Sequence, residues 1–237
     1  MPAVTTEERR AHYDDFVAEI IGLCAFNGVR ADLASGRGRP VEQCERMQRY
    51  LAARTARFGA RRAHYTVASL IALQPDLARR EGPCTPEFPP PVPGGPRTPA
   101  AGDQRMLAAG GEPQPGRPSA AAAAPPDEPA PQAKTAGALW RERPNLGTSL
   151  ALAVIRHGFK QHRMDDRLRT LTRLPAALLH PRLVSLAAHL HGRGAGRLDF
   201  AVLLEDLAWW DDDRLHVAAR WRERYFLTLD RLTCRQD

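Results

Sequence analysis

Hydrophobic positions in this chain recur at helical spacing. Behind a capping box offered by Thr5-Thr6-Glu7-Glu8, Tyr13, Phe16, Val17, Ile20, Ile21 and Cys24 repeat every three or four residues, which predicts an amphipathic helix. Gly28–Gly36 predicts a short helical turn ended by Gly-Arg-Gly. Pro40 suits the first turn of a third helix that turns Cys44, Met47 and Leu51 inward, and Arg61–Gln74 predicts a fourth, stopped by Pro75.

The pattern resumes after Pro144. Leu146, Leu150 and Val154, then Met164, Leu168 and Leu171, predict two short helices broken near His157-Gly158. Asp165 and Asp166 stand where a helix N-terminus would favour acids. Three further helices are expected. One spans Arg182–Leu190, turns Leu183, Leu186 and Leu190 inward and ends at the Gly192–Gly196 loop. A second is capped by Asp199 and carries Phe200, Leu203, Leu204 and Leu207. A last one is capped by Asp211 or Asp212 and carries Leu215, Ala218, Trp221, Tyr225 and Leu229. No stretch alternates apolar with polar residues, so the expected class is all-α, with about nine helices in two small bundles.

Between the clusters the composition changes. Residues 75–144 hold 17 of the 21 prolines, 8 glycines and the alanine run Ala120–Ala124. Such a stretch cannot build a packed core, so it reads as a long Pro/Ala/Gly-rich disordered linker. The PxxP spacings Pro83/Pro86 and Pro90/Pro93 arise by chance in any such tract, and a plain tether accounts for them. The expected organisation is an N-terminal bundle over 1–75, a linker over 76–144 and a C-terminal bundle over 145–237.

Hydropathy narrows the setting. No window supports a membrane-spanning helix, and MPAVTTEERR lacks the apolar run of a signal peptide, so the expected location is cytoplasmic. Cys24, Cys44, Cys84 and Cys234 are far apart with no C-x-x-C pair; buried reduced thiols are expected for Cys24 and Cys44, and neither a zinc cage nor a disulfide framework is suggested.

Charge changes the picture more. The net +7 resolves into an excess of three bases over residues 1–75, none over 76–144 and four over 145–237. Locally it is steeper. Arg54–Arg62 holds four arginines and no acid, and Arg156–Arg173 holds six bases against two acids: Arg156, Lys160, Arg163, Arg167, Arg169 and Arg173. Guanidinium groups bind phosphate bidentately and stack on bases, so the stripes fit a nucleic-acid backbone; a merely solvated face fits the composition equally well.

Catalytic chemistry is harder to assemble. The acids Glu7-Glu8, Asp165-Asp166 and Asp211–Asp213 sit at expected helix starts, where capping explains them. His189 and His191, and His157 with His162, lack metal-ligand spacing, because residues two apart on a helix point about 200° apart. Gly192-Arg-Gly-Ala-Gly resembles a phosphate loop, but no strand precedes it and no Gly-Lys-Ser/Thr follows, so a helix connector is expected. Trp209-Trp210 could stack bases, though Trp at a helix junction is more often core. No cofactor, metal or small-molecule substrate is called for.

Two blocks resemble the CasB family, the small subunit of the type I-E CRISPR effector complex Cascade. One runs from Leu146-Gly147-Thr148-Ser149-Leu150-Ala151 through Asp166-Arg167-Leu168, Leu171 and Arg173 to Leu198-Asp199-Phe200, Leu203-Leu204, Trp209-Trp210, Trp221 and Tyr225-Phe226. The other is Arg61-Arg62-Ala63-His64-Tyr65-Thr66-Val67-Ala68-Ser69-Leu70-Ile71-Ala72. The resemblance implies a non-catalytic helical protein that pairs as a homodimer along the Cascade backbone, beside the other subunits, the guide RNA and the target DNA. Its basic surface would steady the R-loop, chiefly the displaced strand. Arg167 and Arg173 match the family's basic positions after the Gly-x-Ser-Leu motif, and Arg61 or Arg62 matches one opening the last N-terminal helix; Arg156, Lys160 and Arg163 come from the charge pattern alone. The Pro-rich segment replaces a much shorter family connection. The alternative is a helical protein–protein adaptor without nucleic-acid binding.

Overall fold

A computed structural model describes residues 4–74, 136–195 and 197–233. Among the described residues the secondary structure is helical throughout. The elements are α1 (Thr6–Leu23), α2 (Asn27–Ala34), a 3-10 turn (Val41–Gln43), α3 (Glu45–Thr55), α4 (Arg61–Ala72), α5 (Ala136–Glu142), α6 (Leu146–His157), α7 (Gln161–Leu171), α8 (Ala176–His191), α9 (Phe200–Ala208) and α10 (Trp210–Thr233). No described helix is long and apolar enough to cross a membrane.

Most local signals act as expected. Thr5 caps α1: its hydroxyl accepts from the Glu8 N–H at 3.2 Å and the Glu8 carboxylate accepts from the Thr5 N–H at 2.8 Å. Tyr13, Phe16, Ile20 and Cys24 are buried behind it. Cys24 and Cys44 are free, buried thiols, and burial pushes Cys24 up to about 11, which leaves little reactive thiolate.

α4 is the hub. Every residue from Ala63 to Ala72 is buried, and the helix packs against α1, α2 and α3 on one side and α8 and α9 on the other. A helix enclosed all round must satisfy its polar groups internally. The His64 imidazole lies 3.1 Å from both the Ala60 carbonyl and the His12 ring nitrogen, Thr66 lies 2.8 Å from His180 on α8, and Ser69 accepts from the Arg37 N–H at 2.8 Å.

α9 is the second hub, buried from Phe200 to Leu207. Its Asp199 caps the helix through the Val202 N–H (3.1 Å) and takes Arg143 through two bonds of 2.7 and 2.8 Å; the same guanidinium grips Asp14 of α1. Glu205 accepts from Arg10 of α1 (2.8 Å) and from the Trp140 indole of α5 (2.6 Å). Asp206 accepts from Arg220 (2.5 Å) and Trp221 (2.6 Å) of α10. Burial drives Asp206 up to about 7 against the opposing pull of Arg220 and the Trp221 indole. Helices from both ends of the chain thus share one compact unit, held partly by these buried carboxylates.

Four expectations need correction. The chain is already helical at Ala136–Glu142, inside the segment read as linker, and Trp140 there is buried; the remainder of that segment, from 75 to 135, lies outside the described residues. α8 begins at Ala176 rather than Arg182, with Pro181 inside it. Proline has no N–H for the Ala177 carbonyl, and Arg62 of α4 donates to that carbonyl instead, at 3.0 Å. Asp165 and Asp166 are past the first turn of α7, which holds no acid. Asp211–Asp213 do stand in the first turn of α10, but among the described residues they accept no capping bond; Asp213 instead adopts a non-helical φ/ψ that kinks α10, and Leu215 beyond it is exposed.

Candidate nucleic-acid interface

α7 carries the basic stripe because its apolar residues fix its orientation. Met164, Leu168 and Leu171 are buried, so the other faces turn to solvent. Gly158 caps the end of α6 with a left-handed φ of 64° that suits glycine, and Lys160 stands at the N-cap of α7.

The seven expected binding residues fall into three groups. Arg156, Lys160, Arg163 and Arg61 are exposed, and among the described residues no hydrogen bond or ion pair engages their side chains. Arg167 and Arg173 line clefts on opposite sides of α7. Arg62 is different: it is half-buried, and its guanidinium donates to the carbonyls of Ala177 and Gly38, at 3.0 and 3.4 Å, so it ties α4 to α8 instead of facing solvent. Nearby Arg54 is likewise engaged, by Glu19 at 2.5 Å and by the Tyr50 carbonyl.

The α7/α8 cleft encloses about 560 Å³ and brings Arg167 beside Arg182 and His189. Partial burial and the positive charges of Arg167 and Arg193 hold the His189 imidazole below its usual range. The α7/α10 groove encloses about 420 Å³ and sets Arg169 and Arg173 opposite Arg214 and Arg222. Neutralisation inside it is weak. Arg169 meets Asp166 at 3.8 Å with both side chains exposed, a contact worth little in water. Asp165, the acid on the groove wall, accepts the Tyr225 hydroxyl at 2.5 Å.

Arg182, Arg214 and Arg222 were not singled out by the sequence. Arg214, Ala218, Arg222 and Phe226 do recur every fourth residue along one ridge of α10, a legible pattern, but nothing in the sequence tells which helix that ridge faces. Of the two adjacent tryptophans, Trp210 is core, stacked on Trp221 with centroids 4.8 Å apart. Trp209 is 40% exposed beneath the Arg9 guanidinium. Among the described residues no three His, Cys, Asp or Glu side chains gather as metal ligands.

The chain is similar to two chains from solved structures described as "CRISPR RNA-guided surveillance complex, pre-nicking" and "CRISPR RNA-guided surveillance complex", each 24% identical. The first aligns over 96% of this chain and 99% of the other with a TM-score of 0.66; the second over 97% and 99% with 0.65. At that identity the likeness speaks for the fold. No curated protein matches. The family described as CRISPR-associated protein Cse2 matches residues 29–226, well over half of the chain, and the protein therefore belongs to the Cse2 family, which its sequence resembles under the name CasB.

Proposed function

We propose that this chain is a non-catalytic small subunit of a type I-E Cascade complex, where it holds nucleic acid without reading its sequence and steadies the R-loop through the displaced strand. The observation that carries this reading is α7. With the end of α6 and the turn between them it exposes Arg156, Lys160 and Arg163, and it is flanked on both sides by arginine-lined clefts that each carry one acid, Asp166 and Asp165, the latter accepting the Tyr225 hydroxyl. Family membership and the likeness to chains of RNA-guided surveillance complexes support the setting. The partners are then the other Cascade subunits, the guide RNA, the target DNA and a second copy of this chain, in the cytoplasm.

The chemistry suits the task. R-loop formation exchanges one duplex for another of nearly equal stability, so a modest, sequence-blind grip on the freed strand moves the balance forward. Guanidinium groups supply that grip through phosphate. The perturbed buried groups His64, His180 and Asp206 are each held in hydrogen bonds between helices, a structural use that fits a subunit without catalysis.

The test is reconstitution with the other Cascade subunits and a guide RNA. Wild type co-elutes with the guide-bearing assembly, and the R167E/R173E variant co-elutes equally but forms fewer R-loops, with the deficit narrowing as salt rises. R-loop yield unchanged by that variant would refute the reading.

A further inference from the structure

We infer that the α7/α10 groove takes one unpaired strand, its arginines holding phosphates while Phe226 stacks on a base. This rests on the proposed nucleic-acid role and adds what that role leaves open: where the strand lies, and which contact holds its bases.

Electrostatics favours a polyanion. Arg169 and Arg173 come from one wall, Arg214 and Arg222 from the other, and the one acid lining the groove has its carboxylate taken by the Tyr225 hydroxyl. Four cations so placed repel one another, and a ligand bearing phosphates relieves that repulsion. Salt alone would serve as well, were it not for the aromatic ring.

Phe226 is 48% exposed on the groove wall, the most exposed Phe, Tyr or Trp ring among the described residues. Its ring stands 5.2 Å from that of the buried Tyr225, tilted at 75°. Tyr225 is in turn fixed by its bond to Asp165 of α7, so the aromatic is anchored to the groove by a rigid neighbour. A fixed ring among guanidinium groups is the arrangement that binds bases through their faces, without reading their edges. A duplex keeps those faces stacked internally; a displaced strand offers them. An acidic peptide shares the charge complementarity but gains little from the ring, and the basic surface continuing along α7 through Arg163 and Lys160 suits a long strand better.

The full-length protein would be titrated with fluorescein-labelled oligothymidine, with the same length of abasic oligonucleotide, with duplex DNA and with polyglutamate, comparing wild type, F226A and R214E/R222E. Wild type should prefer oligothymidine over abasic DNA. F226A, folded by circular dichroism, should lose roughly tenfold on oligothymidine and nothing on abasic DNA. R214E/R222E should weaken both and flatten the salt dependence by about one to two units of slope. A 2-aminopurine base placed in the strand should be quenched by wild type and not by F226A. If F226A binds every strand as wild type does, stacking is refuted while the broader role stands. Polyglutamate binding as tightly as oligothymidine and depending on the same arginines would overturn the inference in favour of an acidic protein partner. Absence of any nucleic-acid binding by wild type at low salt would instead overturn the proposed function itself.

Discussion

Gly147 offers the sharpest test of how α6 meets α10. A methyl group added there would lie 1.9 Å from the Trp221 carbonyl oxygen, 2.8 Å from its carbon and 3.1 Å from its α-carbon. The obstacle is backbone, so no side-chain rotation removes it. A carbon needs about 3.3 Å from a carbonyl oxygen, so the helices must separate by roughly 1.4 Å. That opens the seam where Leu146, Leu150, Ala151 and Ala153 are buried, and it strains Asn145, whose carboxamide caps α6 through the Thr148 N–H and also reaches the Arg220 carbonyl of α10. Overpacking of this kind costs about 3 kcal/mol. The better helix propensity of alanine returns about 1 kcal/mol, leaving G147A less stable by about 2 kcal/mol, or about 4–8 °C in Tm. Thermal unfolding followed by far-UV circular dichroism measures it. Gly22 of α1 is the control, because a methyl group there meets nothing within 4 Å and G22A should hold or raise Tm. A G147A protein that melts with wild type or above it would refute the close approach of the two helices.

Other outcomes follow from the buried polar groups. D206A leaves the Trp221 indole and Arg220 without an acceptor and should lose about 3–5 kcal/mol in urea unfolding, while D206N should fall between, since its amide offers one acceptor where the carboxylate offers two. Because Asp206 is raised to about 7, its contribution is fully present below about 4 and is lost as pH rises through 7; D206N should abolish that part of the slope. His64 and His180, both pushed down to about 4 chiefly by burial, act in the opposite sense. Their contribution is complete above about 6.5 and disappears as pH falls through 4, so an H64Q/H180Q protein should show a flatter acid limb in Tm against pH, and an unchanged limb would refute the assignment. R62A should lose about 1–2 kcal/mol of stability and keep its affinity for single strands, whereas R61E should do the reverse; equal effects in both assays would show that Arg62 also faces the ligand.

Local chemistry was legible in the sequence wherever one element decides the outcome. The capping box at Thr5, the break at Gly158 and the cap at Asp199 depend on residues a few positions apart, and each stands as read. What escaped depends on distant partners. The periodic apolar face of α4 is visible, but its full enclosure is not, because His64, Thr66 and Ser69 look like a polar face until His12, His180 and Arg37 arrive to satisfy them. The helix expected to start at Arg182 begins six residues earlier and passes through Pro181, where a guanidinium 115 residues away takes the orphaned Ala177 carbonyl. The basic stripe on α7 was readable since six bases crowd a short segment. Its partners on α10 were not, since Arg214 follows the acids Asp211–Asp213, Arg222 sits in a mixed run beside Glu223, and both join the groove only by packing.

That division follows from how the acids are used. Asp199, Glu205 and Asp206 of α9 engage Arg143, Arg10 and Arg220, drawing acids and arginines together into the interior where the helices meet. Charge counted along the sequence treats these acids as if they offset the bases of α7; in the fold they are already matched elsewhere. The surface of α7 is therefore more positive than its segment total implies, and the field a strand would meet comes from residues that take no part in holding the fold. Stability and nucleic-acid affinity should then separate by helix: substitutions of the α9 acids lower Tm first, and charge reversals at Arg156 or Arg163 lower salt-dependent affinity while Tm stays fixed. A charge reversal at either position that unfolded the protein would show that the stripe belongs to the core network after all.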